Sequence, residues 1–286
     1  MEIARKIKAN QKPAVSQRIR LDPEKAYERI PFSVARKIYR WDSYLGCGGF
    51  GQVVEARCKD KSDPQYGQRV ALKFQANETE REKAMNLDEV SLLMYCKHPN
   101  IVRVFRVLEV RSEVWMAMEL LRGGNLKQAS TSKAVPFTEA EIAYVARETL
   151  CGIRYLHEVE VAHRDLKNLN IMLSLDGGVK LIDFGLAADM SQGPRVQMVG
   201  SPLWMAPEMI RGEEHSFGVD IWSFVVCMLE LANQRPPNGD NVKRAMFISA
   251  TVGMQEVFVD PDRWSKVFEV CFVCGTKCDF LSKFTL

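Results

Sequence analysis

The sequence contains no apolar run approaching the roughly 18 residues of a membrane-spanning helix, so we expect no transmembrane segment. Its first ten residues, MEIARKIKAN, are charged and lack the apolar core of a signal peptide. Internal repeats and low-complexity tracts are also missing, which excludes a repeat architecture. What these absences leave is an ordinary globular protein that functions away from the bilayer interior.

A cysteine framework is missing as well. The eight cysteines are scattered along the chain, which is typical of reduced thiols, so we predict a cytoplasmic protein. Cys271, Cys274 and Cys278 are spaced like part of a zinc site, but no fourth ligand lies near them, since the four histidines are at 98, 157, 163 and 215. We therefore interpret them as core or stray thiols.

Length and charge set further bounds. The 286 residues are 47% apolar and 26% charged, enough for one bilobal domain or two small ones. The net charge of +3 is uneven, because residues 1–40 hold 11 Lys/Arg against 4 Asp/Glu. This basic N-terminal extension (1–40) could contact acidic partners or a membrane surface, or could be a solvated tail. We expect no nucleic-acid partner.

The order of elements predicts an α+β fold of two lobes. Strand-like runs at 44–45, 52–56, 70–73, 101–110 and 113–120 surround one helical stretch at 78–96. Downstream of Gly123-Gly124 the patterns are mainly helical, starting with a capping-box pair at Thr138 and Glu141. We predict a domain over 41–286, with a small antiparallel β-lobe (41–121) and a larger helical lobe (122–286).

The most informative residues are HRDLKNLN at 163–170 and Asp183-Phe184-Gly185, which begins thirteen residues after Asn170. This spacing supplies a base (Asp165), a cation (Lys167) and two oxygen ligands for a metal ion (Asn170 and Asp183). Such a set suits phosphoryl transfer, in which the protein mainly positions the reactants and stabilises negative charge.

A glycine-rich loop, GCGGFG at 46–51, precedes the strand that contains Val53. Glycines at 46, 48 and 51 allow backbone N–H groups to approach phosphates closely. The same pattern marks dinucleotide-binding folds, but there a helix follows the loop, whereas here a strand follows. A strand-like VALK ends at Lys73, and an Ala-Pro-Glu sequence ends at Glu208.

These five motifs stand in the order found in eukaryotic protein kinases, which the chain resembles from about residue 44 to about 272. The resemblance implies a bilobal kinase fold and the use of ATP and Mg²⁺. It also implies a Lys73–Glu89 ion pair in the active form, and a packing role for His163 against Phe184. The ATP-binding residues implied are Leu45, Gly46, Gly48, Gly51, Val53, Ala71, Lys73, Met118, Glu119, Leu121 and Met172; Asn170 and Asp183 are implied for the metal.

The form Asp-Leu-Lys-x-x-Asn, with Lys167, resembles serine/threonine kinases rather than tyrosine kinases. The segment GSPLWMAPE (200–208) is similar to that of the sterile-twenty group, nearest its PAK-like branch. In such kinases a hydroxyl at 201 bridges Asp165 and Lys167. The expected activity is transfer of the γ-phosphoryl of MgATP to a protein Ser or Thr, in signalling.

Two departures from the family qualify this expectation. Gln197 stands where such kinases carry the activating phosphosite, so we hypothesise activity that does not depend on phosphorylation there. After Cys271 the sequence no longer follows the family, and the arginine expected to pair with Glu208 is absent. We therefore expect a weakened, apparently truncated C-terminal end; the alternative function is a binding or scaffold protein with little turnover.

Overall fold

The computed structural model describes residues 15–48, 51–131, 137–254, 258 and 260–266. The chain divides into two compact units, and the boundary between them in the sequence falls between Arg122 and Gly123. We call Ala14–Arg122 the β unit and the described residues from Gly123 onward the helical unit. Residues 15–40 of the predicted extension group with the β unit, and the predicted domain boundary at residue 41 stays a prediction.

A six-stranded sheet forms the β unit, with strand order β1-β5-β6-β4-β3-β2. The pairs among β2 to β6 are antiparallel, as the alternating strand patterns predict. The first strand differs: it lies in the stretch that shows no strand pattern, and it pairs with β5 in parallel. The strands are β1 (Glu28–Arg29), β2 (Tyr39–Gly48), β3 (Gly51–Cys58), β4 (Arg69–Ala76), β5 (Val104–Val110) and β6 (Glu113–Met118).

Within the described residues of the β unit, three helices accompany this sheet, and the one predicted for the small lobe (41–121) is confirmed. The predicted helix is α3 (Glu80–Tyr95), which begins with a capping box between Thr79 and Glu82. The other two are short: α1 (Pro23–Ala26) and α2 (Phe32–Ile38). Residues of α2 belong to the core around the buried Trp115, because Ala35 and Ile38 pack in the same apolar cluster.

The helical unit contains five helices within its described residues: α4 (Leu126–Thr131), α5 (Glu139–Glu158), α6 (Pro207–Ile210), α7 (Gly218–Asn233) and α8 (Val242–Thr251). The predicted capping box at Thr138 and Glu141 is confirmed. Helix α7 is buried nearly all round, as its apolar sequence predicts. Two short antiparallel pairs complete the unit: β7 (Val161–Ala162) with β10 (Ala188–Asp189), and β8 (Ile171–Leu173) with β9 (Val179–Leu181).

Two predictions concern the C-terminal end. The altered sequence after Cys271 and the three cysteines 271, 274 and 278 lie outside the described residues. Among the residues that are described, no cluster of His, Cys, Asp or Glu could hold a metal ion by three or more ligands. In this same part of the chain, no helix combines the length and apolar character needed to cross a bilayer.

Candidate active site

Lys73 and Glu89 form a buried ion pair in the β unit. The Lys73 Nζ atom donates to Glu89 Oε1 at 2.7 Å, and the two side chains are 10% and 3% exposed. Gln75 Nε2 donates to the second carboxylate oxygen, Glu89 Oε2, at 2.7 Å. Both oxygens of Glu89 therefore have a donor, which offsets the cost of burying the charge and fixes the position of the Lys73 ammonium.

Three of the predicted ATP-binding residues of the β unit, Val53, Ala71 and Met118, lie on the same face of the sheet as Lys73. Val53 is the register partner of Lys73, and Ala71 is the register partner of Met118. Because side chains alternate along a strand and cross-strand partners share a face, these positions project to one side. The small Ala71 side chain leaves room there for a flat ligand.

The glycine loop connects β2 to β3, and Gly48 and Gly51 are register partners at its two ends. Gly51 has φ +127°, and a Cβ at this position would overlap the backbone carbonyl of Phe74. Only glycine fits there. Gly46 lies just beyond an irregularity in the register, and Leu45 falls within it, with its side chain 46% exposed.

Three further predicted ATP-binding residues are Glu119 and Leu121, which follow β6, and Met172 on β8. Glu119 follows β6, and its backbone N–H donates to the carbonyl of Arg103 at 2.9 Å. Leu121 is the last residue but one of the β unit. Met172 belongs to the helical unit, on β8, where it forms a bridge with Asn125. The adenine-binding role of these residues stays a prediction.

In the helical unit, Asp165, Lys167 and Ser201 form a closed hydrogen-bonded triangle. Lys167 Nζ donates to Asp165 Oδ2 at 2.8 Å and to Ser201 Oγ at 2.9 Å. Ser201 Oγ donates in turn to Asp165 Oδ1 at 2.8 Å. The predicted bridging role of the hydroxyl at 201 is confirmed, and the triangle fixes a carboxylate and an ammonium side by side.

Gly200 allows the Ser201 hydroxyl to approach this closely. Its φ is +105°, and a Cβ there would lie 2.6 Å from the carbonyl oxygen of Arg164. A larger residue would push the segment away from the loop that carries Asp165. Because Gly200 has no side chain, the segment can lie close enough to Arg164 for Ser201 to reach Asp165.

The segments that carry Asn170 and Asp183 are hydrogen-bonded to each other. Ile182 N, in the residue before Asp183, donates to Asn170 O at 3.0 Å. The Asn170 amide nitrogen donates to Asp165 O at 2.9 Å and to Asp165 Oδ2 at 3.1 Å. Both bonds use nitrogen, so the side-chain oxygen of Asn170 is the atom suited to a cation. Asp183 has φ +65°, a left-handed backbone conformation that is uncommon for residues other than glycine.

Asp220, near the start of α7, anchors the backbone at the beginning of the HRDLKNLN segment (163–170). It is fully buried and accepts from His163 N and Arg164 N at 2.8 Å each. His157 Nε2 lies 2.9 Å from the same carboxylate. Burial alone would raise the pKa of Asp220, but these partners outweigh it and the pKa is lowered. Arg164, with φ +63°, is kept in a strained conformation by this anchor.

His163 packs and does not point into the site. Its ring lies 5.1 Å from that of Phe184, edge to face, and its Nε2 contacts the carbonyl of Ile182 at 3.0 Å. The predicted packing role is confirmed. The neighbouring Arg164 faces the segment after Asp183, where Nη1 donates to Gln197 Oε1 at 3.2 Å and Nε donates to Leu186 O.

His215 lies close to two buried guanidinium groups, and this makes the stability of the helical unit depend on pH. Burial and the charge of Arg164 lower the pKa of His215 to about 4, and Arg195 acts in the same direction. Between about pH 6.5 and pH 4, a histidine in the unfolded chain, with a pKa near 6.5, is protonated, whereas His215 in the folded chain is neutral. Stability should therefore fall as pH drops from about 6.5 to about 4, at up to about 1.4 kcal/mol per pH unit.

Urea unfolding at pH 7.5, 6.0 and 5.0 measures this dependence. The His215→Gln variant, which cannot titrate, should lose the part of the slope that lies between pH 6.5 and 4. Equal slopes in the two proteins would show that His215 is not the responsible group.

The sequence patterns missed Gln75 and Asp220. Gln75 is two residues after Lys73 on β4, so the alternation of a strand places both on one face and could have indicated it. Asp220 is an acidic residue near the start of a mostly apolar, buried helix, and a buried charge needs partners. Neither signal names the partner, which only the fold supplies.

Comparison with known proteins agrees with this geometry. Residues 39–271 match the family model described as a protein kinase domain. A probable serine/threonine-protein kinase, mkcB of Dictyostelium discoideum, is 43% identical over 90% of this chain and 35% of its own length. The serine/threonine-protein kinases shk1/pak1 of Schizosaccharomyces pombe and PAK 1 of Mus musculus are 36% and 34% identical over 86% and 95% of this chain.

The chain spans 35% of the length of shk1/pak1 and 49% of that of PAK 1, so it corresponds to part of these relatives. The predicted similarity to PAK-like serine/threonine kinases is confirmed by these matches. The family match covers most of the described residues and includes Lys73, Asp165 and Asp183. The chain belongs to the protein kinase family.

Proposed function

We propose that this chain transfers the γ-phosphoryl group of MgATP to a serine or threonine hydroxyl of a protein. Protein kinases use ATP and act on proteins, and the named relatives are serine/threonine kinases. The observation that carries the proposal is the triangle of Asp165, Lys167 and Ser201, with all three bonds at 2.8–2.9 Å. It holds a base beside a cation through hydrogen bonds made within the chain itself.

Asp165 is the group proposed to accept, or at least orient, the proton of the attacking hydroxyl. Lys167 is proposed to stabilise the negative charge that develops on the transferred group, since its ammonium is already fixed 2.8 Å from Asp165. Because Ser201 bonds to both residues, it keeps their spacing while substrates exchange. The chemistry therefore depends on position more than on covalent participation.

The donor set around Asn170 and Asp183 fits a hard cation such as Mg²⁺. An amide oxygen and a carboxylate are ligands that Mg²⁺ prefers, and it usually completes its shell with water and phosphate oxygens. When bound, the ion would neutralise charge on the phosphates. The backbone bond from Ile182 to Asn170 keeps the two ligands on neighbouring segments.

In the β unit, Lys73 is proposed to bind the α- and β-phosphates, with Glu89 orienting it. Glu89 has donors on both oxygens, so its carboxylate cannot turn away without breaking its hydrogen bonds to Lys73 and Gln75. Gly46, Gly48 and Gly51 are proposed to bring backbone N–H groups to the phosphates. Adenine is proposed to bind Met118, Glu119, Leu121 and Met172.

We infer that activity does not require a phosphate on residue 197. The Gln197 amide already accepts a hydrogen bond from Arg164 at 3.2 Å, in the place where a phosphate would pair with that arginine. Activity should stay within about twofold after phosphatase treatment. Gln197→Ala should lower kcat on the order of tenfold, because a hydrogen bond to a charged group is lost. The kinetic constants of both preparations measure this; activity lost to phosphatase would refute the inference.

The experiment that tests the proposed function measures γ-phosphate transfer from MgATP to a generic basic protein, followed by identification of the phosphorylated amino acid. Wild type should yield phosphoserine or phosphothreonine, and an Asp165→Asn sample gives the background of contaminating kinases. If a folded, ATP-binding wild type transfers nothing above that background, the chain is a binding or scaffold protein. Phosphotyrosine alone would contradict the proposed specificity.

Two further predictions concern the cellular location and the partners of the N-terminal residues. The five cysteines within the described residues are free thiols, which agrees with the predicted cytoplasmic location. The predicted attraction of the N-terminal residues to acidic partners is weakened by pairing inside the chain. Arg20, for example, lies 3.4 Å from Asp88, and Arg29 binds both Glu24 and Glu109.

A further inference from the structure

The segment 15–27, which we call the N-terminal strap, lies before the region that matches the family but belongs to the β unit. Its apolar side chains Val15 and Ile19 are 1% and 4% exposed. Full burial of two branched aliphatic side chains in a terminal segment indicates a docked structure rather than a tail. A docked segment restrains the element against which it packs.

The strap contacts α3, the helix that carries Glu89. Leu21 N donates to Ser91 Oγ at 3.0 Å, and Ser91 Oγ donates in turn to Leu87 O at 2.6 Å. Arg20 Nε lies 3.4 Å from Asp88 Oδ1. A backbone group of the strap is thus joined to a buried hydroxyl of the helix, and a charge of the strap is joined to the residue before Glu89.

Two further contacts extend this attachment along α3. The guanidinium of Arg18 lies over the ring of Tyr95, 6.0 Å from its centre, and α1 packs against α3. Tyr27 places its buried hydroxyl near Asp88 and Glu89, and burial raises its pKa, with the nearby carboxylates adding to the shift. The strap therefore follows α3 from the turn containing Glu89 to its C-terminal end.

Helical geometry places these contacts relative to the ion pair. At about 100° per residue, Ser91 lies about 200° round the helix from Glu89, and Asp88 about 100°. Glu89 faces strand β4 through Lys73 and Gln75. The strap and β4 therefore hold the same turn of α3 from different sides, and rotation of the helix would break contacts on both.

We propose that the N-terminal strap positions α3 so that Glu89 stays paired with Lys73, which makes Ile19, Arg20 and Leu21 positioning residues for the reaction. This inference rests on the proposed function. It means that the orientation of α3 is set within the chain itself, by residues that precede the matched domain, and needs no partner protein to establish it.

The main test compares Ile19→Asp with Val34→Asp in the full chain. Both changes place a carboxylate on a branched aliphatic position of the β unit, but Ile19 is buried in the strap whereas Val34, on α2, is 40% exposed. Ile19→Asp should lower kcat tenfold or more per folded molecule, weaken binding of an ATP analogue and leave the KM for the protein substrate little changed. Val34→Asp should behave like wild type.

A charge reversal separates positioning from general stability. Arg20→Asp and Asp88→Arg should each reduce kcat, and the double variant, which restores an ion pair of opposite polarity, should recover most of it. A merely structural role would change the folded fraction but not kcat per folded molecule. Unchanged kcat in Ile19→Asp, or no recovery in the double variant, would overturn the proposal.

Hydrogen exchange of the α3 amides provides a readout independent of catalysis. Exchange over residues 85–95 should be faster in Ile19→Asp than in Val34→Asp. If wild type transfers no phosphate, the proposed function fails, yet this measurement still decides whether the strap holds α3. Equal exchange in the two variants would refute the attachment even in an active kinase.

Discussion

Asp165→Asn should lower kcat by about 10²- to 10⁴-fold, the usual contribution of a positioned general base, and should leave ATP binding nearly unchanged. The wild-type carboxylate accepts from three groups: Lys167, Ser201 and the amide of Asn170. An asparagine cannot take the proton of a substrate hydroxyl. Its NH₂ group would also face one of these donors, so the triangle would lose a bond as well as its base.

Steady-state kinetics with MgATP and a protein substrate measure the loss, and unfolding curves check that the fold survives. Asp176→Asn is the matched control, because Asp176 is exposed in the turn between β8 and β9 and its side chain bonds to Ser174, outside the site. If the Asp165→Asn variant keeps more than a tenth of the wild-type kcat, Asp165 is not the general base.

Asp220→Ala should strongly destabilise the helical unit, costing about 3–5 kcal/mol of unfolding free energy. It removes a buried carboxylate whose partners stay in place, so the N–H groups of His163 and Arg164 are left buried without an acceptor. The strained backbone of Arg164 would lose its anchor too. Residual activity should therefore fall together with stability.

Denaturant unfolding of wild type, Asp220→Ala and Asp220→Asn tests this. Asparagine keeps one acceptor oxygen, so it should cost less than alanine. The pKa of Asp220 is lowered in the folded state, so its contribution is complete above the ordinary carboxyl range and is lost as pH falls through the folded-state value. If the alanine variant unfolds at the same denaturant concentration as wild type, Asp220 is not a structural anchor.

Local signals predict the reacting groups because those groups lie in short motifs with fixed spacing. Asp165, Lys167 and Asn170 fall within six residues, and the strand pattern around Lys73 places it in a sheet. The Lys73–Glu89 pair needs more than local pattern, since it joins a strand to a helix 16 residues away, and the family resemblance supplies it. The sequence therefore predicts which side chains take part in the reaction.

The supporting contacts cannot be predicted in the same way. Asp220 accepts from residues 56 and 57 positions earlier, and Leu21 donates to Ser91 across 70 residues. Such bonds depend on how elements pack, and nothing in the sequence around either partner specifies the other. The charge-rich stretch before residue 41 resembles an extension for this reason: the partners of its described residues, such as Ser91 for Leu21, are distant in the sequence.

The edge strand β1 limits how far a fragment of this domain can be shortened at its N-terminal end. Strand β1, of two residues, pairs with the outer edge of β5 at Leu108 and Glu109, and Arg106 and Arg29 tie the two strands together through Glu28 and Glu109. A fragment that begins at residue 39, where the family match begins, would leave this part of the β5 edge and the face around Trp115 open to water. Unpaired edges of this kind add strands from other molecules, so such fragments would self-associate into aggregates.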